Sequence, residues 1–181
     1  MRKKKKLFVL LLAVVMVFSM VACSSNKDPV NETPTENPGD AVKKEGQILK
    51  ADLDNFFDTS KDALGEKQAQ LKDEFQATGI YGVTAVEDGQ PLSTALNEKV
   101  LVKTAELKEK ADAYASKHPE MKQTRDEYVA LLDEMNANAN DVMNAIKNKD
   151  QAAFDTAKTK FDKSKDQFVG FEEKSRNALE K

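Results

Sequence analysis

The chain has 181 residues, and its 28 Lys and Arg stand against 31 Asp and Glu, so its formal net charge is −3 at neutral pH. A slightly acidic chain with no long basic stripe is a poor candidate for nucleic-acid binding. The single cysteine excludes a disulfide within the chain, and the single histidine leaves few groups for base catalysis or metal binding.

The first 22 residues predict a signal peptide. Five basic side chains lie in Met1–Lys6, and the run Leu7–Ala22 that follows contains one polar residue, Ser19. A charged stretch ahead of a short apolar stretch is typical of secretory signals. The apolar run has 16 residues, whereas a spanning helix needs about 20. A permanent membrane span is therefore the weaker alternative.

The only cysteine follows directly, in Met20-Val21-Ala22-Cys23-Ser24. This pattern resembles the lipobox of bacterial prolipoproteins, with Met20 where leucine is usual. The resemblance implies that the Cys23 sulfur receives a diacylglyceryl group and that the signal is cut just before it. Acyl chains such as palmitate then hold the protein on the extracytoplasmic face of the cell membrane. The alternative is that Cys23 is only a small apolar residue at the end of a membrane helix, but lipidation accounts for a lone cysteine in an exported protein.

Residues 23–44 predict a lipidated cysteine and a flexible tether. The segment is rich in Pro, Asn, Thr and Glu, with Val30 as its one large apolar residue as far as position 40. It cannot bury enough apolar surface to offset its ordering entropy. Loss of residues 1–22 removes five basic and no acidic side chains, so the net charge falls from −3 to −8. We therefore expect the membrane contact to come from the anchor.

Residues 45–181 predict an all-α domain, an antiparallel up-down four-helix bundle. Four helices are expected, over 45–77, 91–117, 119–147 and 150 to the C-terminus, because apolar residues recur at steps of three and four, as in coiled coils and bundles. Thr78–Gly82, His118–Pro119 and Asn148–Asp150 are the expected turns, with Asp150 as an N-cap. Alternatively, Pro119 only kinks one long helix, which leaves three helices.

The expected inner faces follow from this periodicity. Only Arg125 interrupts the stripe of the third helix, near an end where its side chain can reach water. The aromatic stripe of the fourth helix is typical of a packed core. The predicted inward residues are Leu49, Leu53, Phe56, Leu64, Leu71 and Phe75; Leu96, Val100, Leu107, Ala111 and Tyr114; Met121, Tyr128, Leu132, Met135, Ala139, Val142 and Ile146; and Phe154, Ala157, Phe161, Ser164, Phe168, Phe171 and Leu179.

The sequence contains no recognisable catalytic set, and we expect no enzyme, no cofactor and no metal. Lipidation removes the only thiol, and His118 at a predicted turn is expected to be solvated. A di-iron bundle needs a glutamate three residues before its histidine, and that position holds Ala115.

Two features are candidates for partner contact. In the nearly uncharged loop Thr78–Gln90, Ile80, Tyr81, Val83 and Val86 would form an exposed recognition patch, or else fold back and cap the bundle. In the third helix, Asn136, Asn140 and Asn144 repeat every four residues as far as Asn148. Amides in a row can bind glycan hydroxyls or peptide, although a plain polar face is the alternative.

The sequence therefore favours a membrane-anchored, non-catalytic protein that binds an envelope protein or a cell-wall component, or has a structural role there. The helical region is similar, in general architecture only, to small helical cell-wall-binding lipoproteins of Gram-positive bacteria. The alternative is a sensory or small-ligand-binding bundle that holds an apolar molecule between its helices.

Overall fold

The computed structural model of this chain describes residues 48–77 and 79–179. The chain divides into two units, Met1–Asp40 and Ala41–Lys181, and every described residue belongs to the second. The predicted signal peptide, Cys23 and the predicted tether lie outside the described residues.

The regular secondary structure of the described residues is helical throughout, and no strand occurs among them, which confirms the all-α class. The α-helices are α1 Lys50–Phe56, α2 Leu64–Ala77, α3 Gln90–Ala95, α4 Leu101–Ala115, α5 Lys122–Asn148 and α6 Gln151–Ala178. A π-helical turn, Leu96–Val100, joins α3 to α4 into one continuous helix. Short 3-10 turns cover Gly79–Gly82, Val86–Asp88 and Pro119–Met121.

The prediction of one helix over 45–77 is wrong, because the helix is interrupted by a turn between Phe56 and Leu64. The Asp58 carboxylate accepts hydrogen bonds from the Ser60 N–H at 2.9 Å and the Ser60 hydroxyl at 2.6 Å. Such side-chain bonds compete with helical ones and favour a turn. Asp62 then adopts a left-handed φ of 63°. A Cβ on Gly65 would lie 2.2 Å from the Phe57 carbonyl oxygen, so only glycine fits this close approach.

The His118–Pro119 segment is a turn, as predicted, and the kinked-helix alternative is wrong. Helix α4 ends at Ala115, and the N–H of His118 donates to the Tyr114 carbonyl at 3.1 Å. Proline disfavours helical geometry in the residue before it, and His118 has φ −130° and ψ 78°. The chain therefore reverses before α5 begins.

Helices α5 and α6 form a long hairpin with a two-residue connection. Lys149 has a left-handed φ of 54°, and the Asp150 N–H donates back to the Ala145 carbonyl at 3.0 Å. This pattern is a common helix C-terminus. The Asp150 carboxylate accepts the N–H of Ala153 at 3.0 Å, which confirms the predicted N-cap.

Contacts between neighbouring helices show that the two helices of each pair run in opposite directions. Between the α2 and α3–α4 segments, Lys99 meets Glu74 at 2.8 Å and Lys67 meets Glu106 at 4.0 Å. Between α4 and α5, the Thr104 hydroxyl donates to Asn136 Oδ1 at 2.7 Å, and the Lys108 ammonium lies 2.5 Å from Asp133. Between α5 and α6, Tyr128 packs on Phe171 and Asn138 bonds Ser164. Each of these helix pairs is therefore antiparallel.

One continuous apolar core lies between these helices, and most of the predicted inward residues are in it. Arg125 is partly exposed and pairs with Asp126 at 2.9 Å. Leu49, Phe75 and Tyr114 are only partly buried. Leu179 is wrongly predicted, because it follows the end of α6 and is 39% exposed. The buried aromatic side chains are Phe56, Phe57, Tyr81, Tyr128, Phe154, Phe161, Phe168 and Phe171.

None of the helices in ranges 48–77 and 79–179 is long and apolar enough to cross a membrane.

Candidate functional site

The loop between α2 and α3 lies against the core. Tyr81 and Val86 are buried, while Ile80 and Val83 are partly buried and pack against core residues. The Tyr81 ring contacts Phe75 edge-on at 5.1 Å and stacks with Phe161 at 6.5 Å. Two of the four residues proposed for an exposed patch therefore face inward, as the capping alternative expects. Whether Ile80 and Val83 contact a partner stays a prediction.

A single side chain, Gln151, fastens this loop to the start of α6. The Val86 N–H donates to Gln151 Oε1 at 2.9 Å, and Gln151 Nε2 donates to the Thr84 carbonyl at 2.9 Å. The same Nε2 also donates to Asp155 at 2.7 Å. The Gln151 amide thus satisfies one backbone donor and one backbone acceptor in the loop between α2 and α3.

The Tyr81 hydroxyl is buried and has no hydrogen-bond partner among the described residues. Burial raises the pKa of this phenol above its ordinary value, and the nearby Glu74 carboxylate raises it further. A buried polar atom without a partner destabilises a fold by about 1–3 kcal/mol. The hydroxyl is therefore a local weakness in the packing of the loop.

The asparagines of α5 do not form one row facing a single ligand. A spacing of four residues drifts around a helix that has 3.6 residues per turn. Asn136 faces α4, where it accepts the Thr104 hydroxyl, and Asn140 is exposed and donates to the Asn136 carbonyl at 2.9 Å. Asn144 and Asn148 instead line a groove beside α6. The amides are thus divided between two surfaces.

An open cleft of about 440 Å³ lies between the turn after α1 and the end of α4. The His118 ring stacks on Tyr114 at 4.2 Å, and its Nδ1 is 3.6 Å from Glu120 Oε1. The side chain is 38% exposed. The cleft also contains Lys110, Lys117 and Asp62, so both signs of charge meet an aromatic wall there.

Two buried polar pairs were not predicted from the sequence. The Tyr128 hydroxyl donates to Gln68 Oε1 at 3.0 Å, and Asn138 Nδ2 donates to Ser164 Oγ at 3.3 Å. All four side chains are buried, and burial raises the pKa of the Tyr128 phenol. Ser164 stood in an apolar stripe and was the one available signal, because a polar residue there needs a partner.

Two exposed carboxylates near α1 have depressed pKa values. Hydrogen bonds from the Ser60 hydroxyl and N–H lower the pKa of Asp58. Hydrogen bonds from Arg176 and then Lys50 lower the pKa of Asp54. The pair of Asp54 and Arg176 ties α1 to the end of α6. These carboxylates have structural partners that account for their pKa values, and neither has the raised pKa of a general acid.

Among the described residues, no group of three or more His, Cys, Asp or Glu side chains could hold a metal ion. Comparison with protein-family models, with curated proteins and with solved structures found no match.

Proposed function

We propose that this protein is a lipoprotein anchored at Cys23 on the extracytoplasmic face of a cell membrane, where its helical domain has a non-catalytic binding or structural role. The single observation that carries the proposal is the position of the only cysteine. It follows a basic and then apolar leader of 22 residues. Two acyl chains on that sulfur supply the two hydrophobic signals that stable anchoring needs.

The proposed form of the domain is an up-down-up-down bundle of α2, the α3–α4 helix, α5 and α6. The antiparallel contacts of successive helices support it. The fourth side is supported by Phe75 of α2, which meets Phe168 of α6 at 6.3 Å, and by Lys72, which lies 3.9 Å from Glu172. In this arrangement α1 packs on one end, where Phe57 meets Phe171 at 6.3 Å.

The proposed partner is an envelope protein or a cell-wall component, with no role for nucleic acid. The acidic balance of the chain supports this, because −8 after loss of the leader opposes binding to polyanions. No reaction is assigned to the domain. The one histidine is engaged in the stack with Tyr114, and the nearby Ser116 hydroxyl donates to the Ala113 carbonyl at 2.8 Å.

Intact-mass measurement of the chain extracted from membranes tests the anchor. We expect a product that begins at Cys23 and carries the added mass of a diacylglyceryl group and any further acyl chain. Cys23→Ala is the matched control and should lose both the added mass and the cleavage. A wild-type product with an unmodified thiol and residues 1–22 still attached would refute the proposal.

Crosslinking in cells, followed by mass spectrometry, tests the partner surface. The variant is Ile80→Ser with Val83→Ser, because these side chains are only partly buried and Tyr81 is needed in the core. The matched control is Val102→Ser with Val169→Ser, since these valines are 50% and 40% exposed elsewhere. If the loop binds the partner, only the first variant loses the crosslink. Crosslinking of the first variant at the level of the control excludes Ile80 and Val83 as contact residues.

The second candidate function is a sensory or small-ligand-binding domain, and the cleft beside His118 is the observation that favours it. Its volume of about 440 Å³ is within the range of small-molecule sites. Native mass spectrometry and titration calorimetry of the purified chain test it. A small molecule that co-purifies, and is lost on His118→Ala, would favour this function over partner binding.

A further inference from the structure

A groove runs along the seam between α5 and α6 on the outer side of their hairpin. It has two open stretches in series, of about 770 and 550 Å³. We call it the α5–α6 groove. Side chains of both helices line it, with Glu127, Ala130 and Asp141 among those of α5 and Lys160, Gly170 and Lys174 among those of α6.

The two walls of the groove carry opposite charge at a repeat of seven residues. The α5 wall has an acidic row, which consists of Glu127, Glu134 and Asp141. The α6 wall has the row Lys174, Gln167 and Lys160. All six side chains are exposed, and none of the five charged ones forms an ion pair within the described part of the chain.

The register of the hairpin sets these rows at matching heights. Tyr128 packs on Phe171 at 5.1 Å, and Asn138 bonds both Ser164 and the Lys160 carbonyl. Extending this antiparallel register places Glu127 level with Lys174, and Asp141 level with Lys160. Glu134 and Gln167 lie level between them.

Gly170 on the α6 wall is not required by the fold of the single chain. A Cβ at this position would meet nothing within 4 Å, and no left-handed backbone angle occurs there. Glycine in the middle of a helix lowers its stability relative to alanine. Across the groove lies Ala130, which is small and exposed. A second helix could approach most closely at this point.

We propose that the α5–α6 groove binds a second copy of this chain, with a two-fold axis parallel to the helices. This symmetry sets α5 of each copy over α6 of its partner at the same height. The acidic row of α5 in each copy then faces the row of Lys174, Gln167 and Lys160 on α6 of the other copy. Glu127 and Asp141 pair with the partner's Lys174 and the partner's Lys160, and Ala130 contacts the partner's Gly170.

Charge favours this symmetry over the other way of pairing the same two faces. A two-fold axis across the helices would stack α5 on α5, so each acidic row would face another acidic row. Like charges held opposite one another suppress a wrong arrangement. The favoured symmetry also leaves Ile48 of both copies at one end of the dimer. That is compatible with the proposed membrane anchor, but the inference does not depend on it.

Disulfide trapping of full-length chains in cell extracts, with an added oxidant, tests the geometry whether or not the chain is anchored. Two differently tagged copies are co-expressed, one with A130C and one with G170C, and the parent with Cys23 alone gives the background. We expect the A130C and G170C pair to yield at least fivefold more disulfide between tags than A130C with A130C or G170C with G170C. Yields at background, or stronger disulfides between identical variants, would overturn the proposal.

Charge exchange tests the complementarity in the same assay. K160E with K174E should lower the trapped dimer at least fivefold, and adding E127K with D141K should restore it to within twofold. K61E with K147E is the matched control and should leave the yield unchanged, because both lysines are exposed and lie outside the groove lining. The pairing would be refuted if the variant with all four substitutions did not restore the dimer, or if the control lost as much trapped dimer as K160E with K174E.

Gly170→Ala distinguishes an effect on the stability of the single chain from an effect on self-association. It should raise the thermal unfolding midpoint of the dilute chain, because the new Cβ meets open space and helix propensity improves. It should also weaken self-association about tenfold in sedimentation equilibrium of the full chain in detergent, because the Cβ meets the partner copy. An unchanged association constant would contradict a close approach at this residue.

Discussion

The two buried tyrosines, Tyr81 and Tyr128, should respond differently to the same substitution. Both rings lie in the core, but the Tyr128 hydroxyl donates to buried Gln68 at 3.0 Å, whereas the Tyr81 hydroxyl has no partner among the described residues. Replacement by phenylalanine removes one oxygen in each case and keeps the ring. The comparison therefore isolates the hydrogen bond from the packing.

The expected magnitudes follow from the fate of each polar atom. Tyr128→Phe leaves the Gln68 amide buried and unsatisfied, which should destabilise the domain by about 1–3 kcal/mol. Tyr81→Phe removes an oxygen that is already unsatisfied, so it should be neutral or stabilise the fold by up to about 1 kcal/mol. The gap of about 2 kcal/mol corresponds to roughly 6–10 °C between the two midpoints.

Urea unfolding followed by circular dichroism, together with thermal melts, would measure both variants. Adding Gln68→Leu to Tyr128→Phe should recover part of the loss, because a polar pair replaced by apolar groups leaves no orphaned amide. Equal destabilisation by Tyr81→Phe and Tyr128→Phe would refute the different roles of the two hydroxyls. A double variant no more stable than Tyr128→Phe alone would contradict an orphaned Gln68 amide.

Three further predictions concern the loop, the turn and the core. Gln151→Ala removes both hydrogen bonds to the loop, so amide exchange over residues 80–86 should quicken and stability should fall by about 1–2 kcal/mol. Exposed Gln76→Ala is the control and should change neither quantity. Equal exchange rates in the two variants would contradict the role of the Gln151 amide. Ser60→Ala should raise the pKa of Asp58 toward its ordinary 3.8. Because the folded pKa of Asp58 is depressed, the stabilisation from its Ser60 hydrogen bonds is present above the unfolded pKa of about 4 and disappears as the pH falls through the folded value. NMR titration of the carboxyl, and unfolding of wild type and Ser60→Ala at pH 7 and pH 2, would measure it. An equal stability loss at both pH values would refute the assignment. Phe161→Ala should cost about 3–5 kcal/mol, since the ring is fully buried; exposed Val169→Ala is the control, and a similar small loss in both would place Phe161 outside the core.

Periodicity predicted the long helices well because it depends on burial alone. Steps of four and three from Met121, just before α5, to Ile146 follow one stripe, and every residue of that stripe except Arg125 is buried. The Asp150 cap was also predictable, since its bond to Ala153 spans only three residues. Local signals and a single repeating face carry enough information for such elements.

The break after Phe56 was not predicted, although its residues are local. Leu53, Phe56, Leu64 and Leu71 keep a helical register across it, so the apolar pattern alone favours one helix. Three weaker features oppose that pattern together: the Asp58 turn, the left-handed Asp62 and the space that Gly65 leaves for the Phe57 carbonyl. Both Phe56 and Phe57, which lie directly before the turn, are buried in the core. Tertiary packing thus outweighed periodicity here.

The loop shows why candidate contact residues could not be separated by sequence. Its clamp joins Val86 to Gln151, which lies 65 positions away, and no local pattern marks that pairing. If a partner required Tyr81 and Val86, the loop would first have to open. Opening breaks two hydrogen bonds at about 1 kcal/mol each and exposes two apolar side chains at roughly 1.5–3 kcal/mol each, about 5–8 kcal/mol in total. The open state would then hold at most about one chain in several thousand, and the apparent affinity for such a partner would fall by at least that factor. Ile80 and Val83, already partly exposed, avoid that loss, so of the four candidate residues they are the two that can contact a partner while the loop stays closed.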